Sequence, residues 1–173
     1  MKIAICGTHC AGKSTLVDYL CETTNSQKIK EIAGNYTEKQ RSKLPTQLKI
    51  LLDQMNAERE HQSFVSDRSV IDNLAYIKFH AEKNESPQTY QKALKFVETY
   101  IETEKPYDIL FFVDEYFELE DNGIRNLDKD QQEYVYNFLK TFAQQFCKEH
   151  NIKLVTICGK NEKRIEEIKK WIS

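Results

Sequence analysis

Residues 7–15 read Gly7-Thr8-His9-Cys10-Ala11-Gly12-Lys13-Ser14-Thr15, and this stretch decides the fold. It matches the pattern G-x-x-x-x-G-K-[ST] of a phosphate-binding loop, or P-loop. The apolar run 2–6 before it predicts a buried strand, and the spacing of Leu16, Val17 and Leu20 after it predicts a helix. Strand, glycine-rich loop and helix in this order are the context that the motif requires.

The residue types of the loop indicate how it would hold a triphosphate. The two glycines permit backbone angles that a Cβ would penalise, so the loop can curl around a phosphate. Its N–H groups then point inward, and the helix that follows adds the partial positive charge of its N-terminus. We expect Lys13 to reach the β- and γ-phosphates and the Ser14 hydroxyl to bind Mg²⁺. The residues predicted to bind ATP are Gly7, His9, Cys10, Ala11, Gly12, Lys13, Ser14 and Thr15.

Composition limits the class of protein. The chain has 173 residues, 40% of them apolar and 30% charged, which predicts one soluble globular domain over 1–173. A net charge of −2 argues against a general nucleic-acid-binding surface. Five cysteines without a C-x-x-C pair predict reduced thiols and a cytoplasmic location. We expect neither a signal peptide nor a membrane span, and the oligomeric state stays open, a homodimer being one option.

Strands alternate with helices along the chain, which predicts a parallel sheet with helices on both faces. Strands are expected at 2–6, 28–33, 64–66, 108–113 and 152–158. The fourth is the most hydrophobic, so we expect it to be central and buried on both faces. After the helix that follows the P-loop, helices are expected at 46–62, 70–83, 88–104, 129–150 and 162–171. The pattern is that of a three-layer α/β P-loop fold with five parallel strands and a charged, mobile lid loop at about 114–128.

Polar residues follow the third strand at the edge where open parallel sheets bind their ligands. Asp67 has the position of a Walker B acid, which holds Mg²⁺ directly or through water. Arg68 beside it can fork onto a phosphate or hold a carboxylate in place. Asp72 and Tyr76 follow one and two turns along the same helix face, where they can orient Arg68 or cap and pack.

Several elements occur along the chain in one order: Gly7 to Ser14, Glu31-Ile32-Ala33, Gln54, Asp67-Arg68-Ser69, Asp72, and Asn122-Gly123-Ile124-Arg125. This series resembles the small P-loop nucleoside and nucleotide kinases typified by the ribosylnicotinamide kinase domain of the bacterial NAD-biosynthesis regulator, an AAA-type ATPase/kinase domain. More distantly, the chain is similar to deoxynucleoside and thymidylate kinases. The resemblance spans most of the chain.

The resemblance implies roles for residues outside the P-loop. Glu31 would be the carboxylate that faces the acceptor hydroxyl and takes its proton, with Asp67 as the rival candidate. Gly34 stands where the family has an arginine, so a contact of the family is missing there. The acceptor pocket would be lined by Glu31, Gln54, Arg68 and Asp72.

Two further regions take roles from the same resemblance. Arg125 lies in a lid element similar to the D-G-x-R of the family, and it would stabilise charge on the transferred phosphoryl group. Gly159-Lys160-Asn161 is where similar kinases place the adenine.

These expectations combine into one function. The sequence predicts an ATP- and Mg²⁺-dependent kinase that transfers the γ-phosphate to a hydroxyl or phosphate of a small nucleoside-like acceptor. Its predicted catalytic residues are Lys13, Glu31, Asp67, Arg68 and Arg125, and its predicted metal ligands are Ser14 and Asp67. One alternative is a regulatory NTPase switch that binds a protein partner. Another is a kinase acting on a polynucleotide end or a modified base, which the net acidity disfavours.

Overall fold

The computed structural model describes residues 1–115 and 129–172. Its strands form one sheet, whose spatial order is β2-β3-β1-β4-β5. Their bounds are β1 Lys2–Cys6, β2 Gln27–Ile29, β3 Phe64–Asp67, β4 Ile109–Val113 and β5 Leu154–Ile157. All neighbouring strands in this sheet pair in parallel. The predicted five-stranded parallel sheet is therefore confirmed.

The helices of the described residues are α1 Lys13–Thr24, α2 Glu38–Arg41, α3 Leu44–Arg59, α4 Val70–Lys83, α5 Pro87–Glu104, α6 Lys129–Glu149 and α7 Asn161–Ile172. Local signals explain two of the starts. A proline lies in the first turn of α3, where its missing N–H does no harm. A capping box between Ser69 and Asp72 opens α4. Among these helices, none is both long enough and apolar enough to cross a bilayer.

Apolar side chains cover the sheet on both faces, because successive residues of a strand point to opposite sides. Ala4 and Phe112 belong to a layer that they form with residues of α3, α4, α5 and α6. Ile5 and Phe111 belong to a second layer, shared with α1 and α7. The three-layer α/β arrangement predicted from the sequence is thus confirmed.

The most hydrophobic strand lies inside the sheet. All five residues of β4 are buried, as expected of a strand covered on both faces. The middle position, however, belongs to β1, and β4 lies between β1 and β5. The carboxyl end of the central strand therefore leads directly into the P-loop.

The second strand is shorter than the predicted range 28–33. It ends at Ile29, which pairs with Ser66 only one residue before β3 ends, so the partner strand runs out. Residues Ile32–Asn35 form a 3₁₀ turn instead, which places Glu31 just beyond the strand end. The sequence analysis also missed α2, a four-residue helix opened by a capping box between Thr37 and Gln40.

A buried carboxylate lies between α3 and α5. Glu58 is 2% exposed and accepts hydrogen bonds from Gln54 Nε2 (2.8 Å), Tyr107 Oη (2.7 Å) and Tyr100 Oη (2.8 Å). Burial raises the pKa of Glu58 to about 7 although all three donors favour its charged form. The Tyr107 hydroxyl also accepts from the Val70 N–H, so the network reaches the first turn of α4.

The raised pKa predicts a pH-dependent stability. A carboxyl whose folded-state pKa exceeds its unfolded value stabilises the fold most below about pH 4.5. That contribution falls as the pH rises towards and through 7, by up to roughly 3 kcal/mol. In urea unfolding between pH 5 and 8, Glu58→Gln should therefore become more stable relative to wild type as the pH rises. Glu60→Gln, which changes an exposed carboxylate just after the end of α3, should follow wild type throughout. Parallel pH profiles for wild type and Glu58→Gln would contradict the assignment.

Candidate active site

A cavity of about 800 Å³ is lined by residues at or after the carboxyl ends of β1, β2 and β3 and by two residues of α6. Because parallel strands end at the same edge of a sheet, these residues are brought together as the sequence predicted. The predicted site residues that line it are His9, Cys10, Ala11, Gly12, Lys13, Ser14, Thr15, Glu31, Asp67 and Arg68.

The P-loop has the backbone geometry that its glycines allow. Gly7 has φ +146° and Gly12 has φ +76°, in the region that side chains rarely adopt. A Cβ on Gly7 would lie 3.1 Å from the carbonyl oxygen of Val113, so β4 also requires a glycine there. Lys13 is 6% exposed and its Nζ donates to the Thr8 carbonyl oxygen at 2.5 Å. The ammonium is thus held inside the curl of the loop.

The two residues predicted to bind the metal, Ser14 and Asp67, are in contact with each other. The Ser14 hydroxyl donates to Asp67 Oδ2 at 2.7 Å. Asp67 Oδ1 is buried and has no hydrogen-bond partner among the described residues. Mg²⁺ prefers oxygen ligands and usually takes one or two carboxylates together with phosphates. A hydroxyl beside a carboxylate with an unsatisfied oxygen fits such a cation.

Arg68 occupies the middle of the site with its side chain 3% exposed. Its Nε donates to Glu31 Oε1 at 2.6 Å, and its Nη1 donates to the Gly7 carbonyl at 3.2 Å. Its Nη2 lies 3.0 Å from His9 Nδ1, and the guanidinium carbon lies 5.3 Å from the centre of the Tyr76 ring. The geometry therefore favours the second of the roles predicted for Arg68, that of holding a carboxylate in place.

Asp72 is wholly buried, and it does not line the cavity. Its Oδ1 accepts from the Gly7 N–H at 3.0 Å, and its Oδ2 accepts from the Ser69 N–H and hydroxyl, both at 2.8 Å. Arg68 Nη1 lies 3.6 Å from Oδ1. The predicted contact between Asp72 and substrate is corrected: this carboxylate fixes the P-loop against the start of α4.

Gln54 is corrected in the same way. It is 1% exposed, lies away from the cavity and donates from Nε2 to Glu58 and to Ser66 Oγ, each at 2.8 Å. The same helix supplies Gln47 and Ile50 to the cavity instead. They lie nearer the start of α3, and this helix leads into the beginning of β3. Its first turns are consequently the ones that reach the carboxyl edge of the sheet.

The charges around Arg68 set the protonation of its neighbours. The Arg68 guanidinium lowers the pKa of Glu31 to about 2 against the opposing effect of burial, so Glu31 is ionised near neutral pH. Burial and the same guanidinium lower the pKa of His9 to about 3. His9 is therefore neutral, and because its Nδ1 accepts from Arg68, its proton belongs on Nε2.

The sequence analysis missed most of the far wall of the cavity. It is formed by Glu38, Arg41, Ser42, Gln47, Ile50, Asn73, His80, Gln131 and Gln132. Asn73 is 4% exposed, and its Nδ2 is a buried donor with no partner among the described residues. The spacing of Asn73, Tyr76 and His80 on one face of α4 is the signal that could have found this wall.

A second cavity of about 390 Å³ adjoins the other side of the P-loop. It is lined by Cys10, Ala11, Gly12, Gly159, Lys160, Asn161, Glu162 and Arg164. The segment after β5 thus lies beside the phosphate-binding loop, while its predicted contact with adenine stays a prediction. Arg125 and the lid element around it lie outside the described residues.

The strand order and the P-loop after β1, with an acid-arginine pair after β3, define a P-loop protein with the fold of nucleoside kinases. The chain belongs to the AAA domain family, whose sequence model matches residues 2–164. No curated protein matches the chain.

Solved structures show the same fold. Deoxyadenosine kinase from M. mycoides with bound dCTP has a TM-score of 0.70 and 17% identity, covering 98% of this chain and 97% of that one. The same enzyme with bound dATP has a TM-score of 0.68 and 18% identity, covering 98% of each chain. The NadR protein in complex with NR has a TM-score of 0.67 and 18% identity, covering 92% of this chain and 46% of that one. At these identities the likeness concerns the fold.

The environment of Lys13 predicts a pH-dependent affinity for ATP. Burial and the Arg68 charge lower the pKa of Lys13 to about 8. A triphosphate binds the ammonium form, so the free protein must take up a proton to bind once the pH exceeds that value. Calorimetric titration with ATP should show affinity falling above pH 8, by at most about tenfold per pH unit, with proton uptake. An affinity for ATP that did not change between pH 8 and pH 9.5 would contradict the role of Lys13.

Proposed function

We propose that this protein is an ATP- and Mg²⁺-dependent kinase that transfers the γ-phosphoryl group to a hydroxyl of a nucleoside-like acceptor. The observation that carries the proposal is that Lys13, the Ser14–Asp67 pair and Glu31 line one cavity. A triphosphate grip, a cation site and a candidate base are the parts that phosphoryl transfer requires.

The P-loop would hold the donor. Its amides and the Lys13 ammonium bind the β- and γ-phosphates, and they are positioned before the nucleotide arrives. Ser14 and Asp67 would hold Mg²⁺, which would neutralise charge on the phosphate oxygens. Asp67 would accept from Ser14 through Oδ2, and its buried Oδ1, which has no partner among the described residues, would be the oxygen available to the cation.

Glu31 would activate the acceptor hydroxyl. One of its oxygens accepts from Arg68 Nε, and this bond holds the carboxylate at the cavity. The other is available to accept the hydroxyl proton as the oxygen attacks the γ-phosphate. A low pKa suits a loose transition state, in which the hydroxyl need only be oriented and the proton leaves late. Glu31 is favoured over Asp67 because both oxygens of Asp67 would be engaged, Oδ2 by the Ser14 hydroxyl and Oδ1 by the cation.

The far wall of the cavity would recognise the acceptor. Gln47 Nε2 donates to the Arg41 carbonyl at 2.5 Å, which fixes the amide at the cavity. The unpartnered Nδ2 of Asn73 calls for an acceptor atom on the ligand, such as a ring nitrogen or a carbonyl oxygen. A nucleobase or a carboxamide carries such atoms. Structures of similar fold are deoxyadenosine kinase and NadR in complex with NR, which supports a nucleoside-type acceptor.

A direct test is transfer from labelled ATP with Mg²⁺ to nucleosides, nucleoside monophosphates and nicotinamide riboside. Phosphorylation of a hydroxyl on at least one of them supports the proposal. Hydrolysis that needs no acceptor would favour the regulatory NTPase instead. Transfer only to a polynucleotide, with steep salt dependence, would favour the polynucleotide kinase.

The role of Glu31 predicts a selective loss of turnover. Glu31→Gln keeps an oxygen that can accept from Arg68 but removes the base. We expect kcat to fall by about 10²-fold or more while ATP affinity stays within about twofold, measured by steady-state kinetics and calorimetry. Glu22→Gln, an exposed carboxylate on α1, serves as the matched control. Full turnover by Glu31→Gln would transfer the base role to Asp67.

The metal assignment makes a separate prediction. Asp67→Asn removes the charge that faces the cation but keeps an oxygen for Ser14. The Mg²⁺ concentration for half-maximal activity should then rise by about tenfold or more, whereas the ATP affinity measured without Mg²⁺ should not fall. An unchanged Mg²⁺ requirement would place the cation elsewhere.

A further inference from the structure

Side chains from three distant elements bind the P-loop by its carbonyl oxygens. Arg68 Nη1 donates to Gly7 O at 3.2 Å, Gln132 Nε2 to His9 O at 3.4 Å, and Arg164 Nη1 to Ala11 O at 2.6 Å. These carbonyls belong to every second residue of the loop. Sequence analysis assigned no role to Gln132, on α6, or to Arg164, on α7.

The geometry of the peptide bond gives these contacts a consequence. In a planar trans peptide the carbonyl of one residue and the N–H of the next point in opposite directions. Holding His9 O and Ala11 O therefore fixes the directions of the Cys10 and Gly12 N–H groups. The carbonyl of Thr8 points the other way, because Lys13 Nζ reaches it from inside the loop at 2.5 Å.

Arg164 occupies a place that is unfavourable for a cation. It lies in the first turn of α7, where the helix dipole opposes positive charge, and it is only 3% exposed. The carboxylate paired with it, Glu115 Oε1, is 3.8 Å away, and Arg164 Nε is buried without a partner among the described residues. Burying a guanidinium so incompletely paired costs stability. The short bond to Ala11 O is the contact that this placement provides.

The space around Gly12 is matched to the same guanidinium. A Cβ on Gly12 would lie 3.2 Å from Arg164 Nη1, closer than ordinary van der Waals contact. Arg164 thus packs against the loop at the residue whose amide it orients, and it also lines the second cavity.

We propose that Gln132 and Arg164 are positioning residues for the triphosphate, which hold the Cys10 and Gly12 amides of the P-loop towards the phosphates. This inference rests on the proposed function only in that the loop binds a nucleoside triphosphate. Neither side chain needs to touch the nucleotide base for this role. The effect of losing either one must accordingly be the same for any ligand with the same phosphate chain.

The test compares ATP with inorganic tripolyphosphate, which has the phosphates and lacks the nucleoside. Calorimetric titration of Arg164→Gln should show both ligands weakened by the same factor, about tenfold for one hydrogen bond from a charged donor. Gln132→Met, which changes no charge, should weaken both by roughly threefold. The KM for the acceptor should not change in Arg164→Gln, because Arg164 does not line the cavity that would hold the acceptor. Lys163→Gln removes one charge from an exposed position of the same helix, and it should bind both ligands as wild type does.

Several outcomes would overturn the inference. If Arg164→Gln lost affinity for ATP but kept its affinity for tripolyphosphate, Arg164 would contact the nucleoside. Unchanged affinities with a lowered melting temperature would mean a purely structural role, and equal effects of Lys163→Gln and Arg164→Gln would mean a charge effect. If Arg164→Gln does not fold, Gln132→Met decides the matter. Wild-type protein that binds both ligands but phosphorylates no acceptor contradicts the proposed function and leaves this test valid.

Discussion

The site depends on one buried guanidinium. Arg68 joins the three segments that follow β1, β2 and β3, since it contacts Gly7 and His9 in the P-loop, Glu31 after β2 and Asp72 in α4. A buried cation is costly unless its partners have good geometry, and breaking such a set leaves an uncompensated charge. Arg68 is compensated by carboxylates on two sides and by a carbonyl. The contacts that compensate the buried charge of Arg68 therefore also hold these three segments together.

Different hydrogen bonds fix the P-loop and Glu31. Asp72 holds the P-loop at one end by accepting from the Gly7 N–H. Side chains from α6 and α7 hold it further along by donating to the carbonyl oxygens of His9 and Ala11. Glu31 is held separately, by the hydrogen bond from Arg68 Nε. The P-loop and the Glu31 carboxylate are thus fixed by separate sets of hydrogen bonds. Fixed dipoles need no reorganisation when charge develops on a transferred group, which is how such sites lower a barrier.

Sequence analysis found those parts of the site whose functional residues lie next to their supporting strands and helices in the sequence. Gly7 to Ser14 has its strand and helix on either side, and Asp67-Arg68 directly follows an apolar strand, so strand periodicity places both at one edge. The 3₁₀ turn after β2 was missed because its cause is the end of β3, a tertiary constraint with no local mark. Arg164 and Gln132 escaped notice for a related reason: each acts from a helix far along the chain, by a bond to backbone.

Gln54 shows how direction along a helix decides what a residue can do. The helix α3 leads into the beginning of β3, so it runs from the carboxyl edge of the sheet towards the opposite edge. Gln47 and Gln54 lie on the same buried face, but seven residues of helix separate them by about 10 Å. Gln47 therefore reaches the cavity, whereas Gln54 meets Ser66 and Glu58 under the sheet. The helix α4 begins directly after β3, at the same carboxyl edge, and its early residues Asn73 and Tyr76 line the cavity. Both helices therefore contribute residues near their starts to the cavity, because both starts adjoin the carboxyl edge of the sheet.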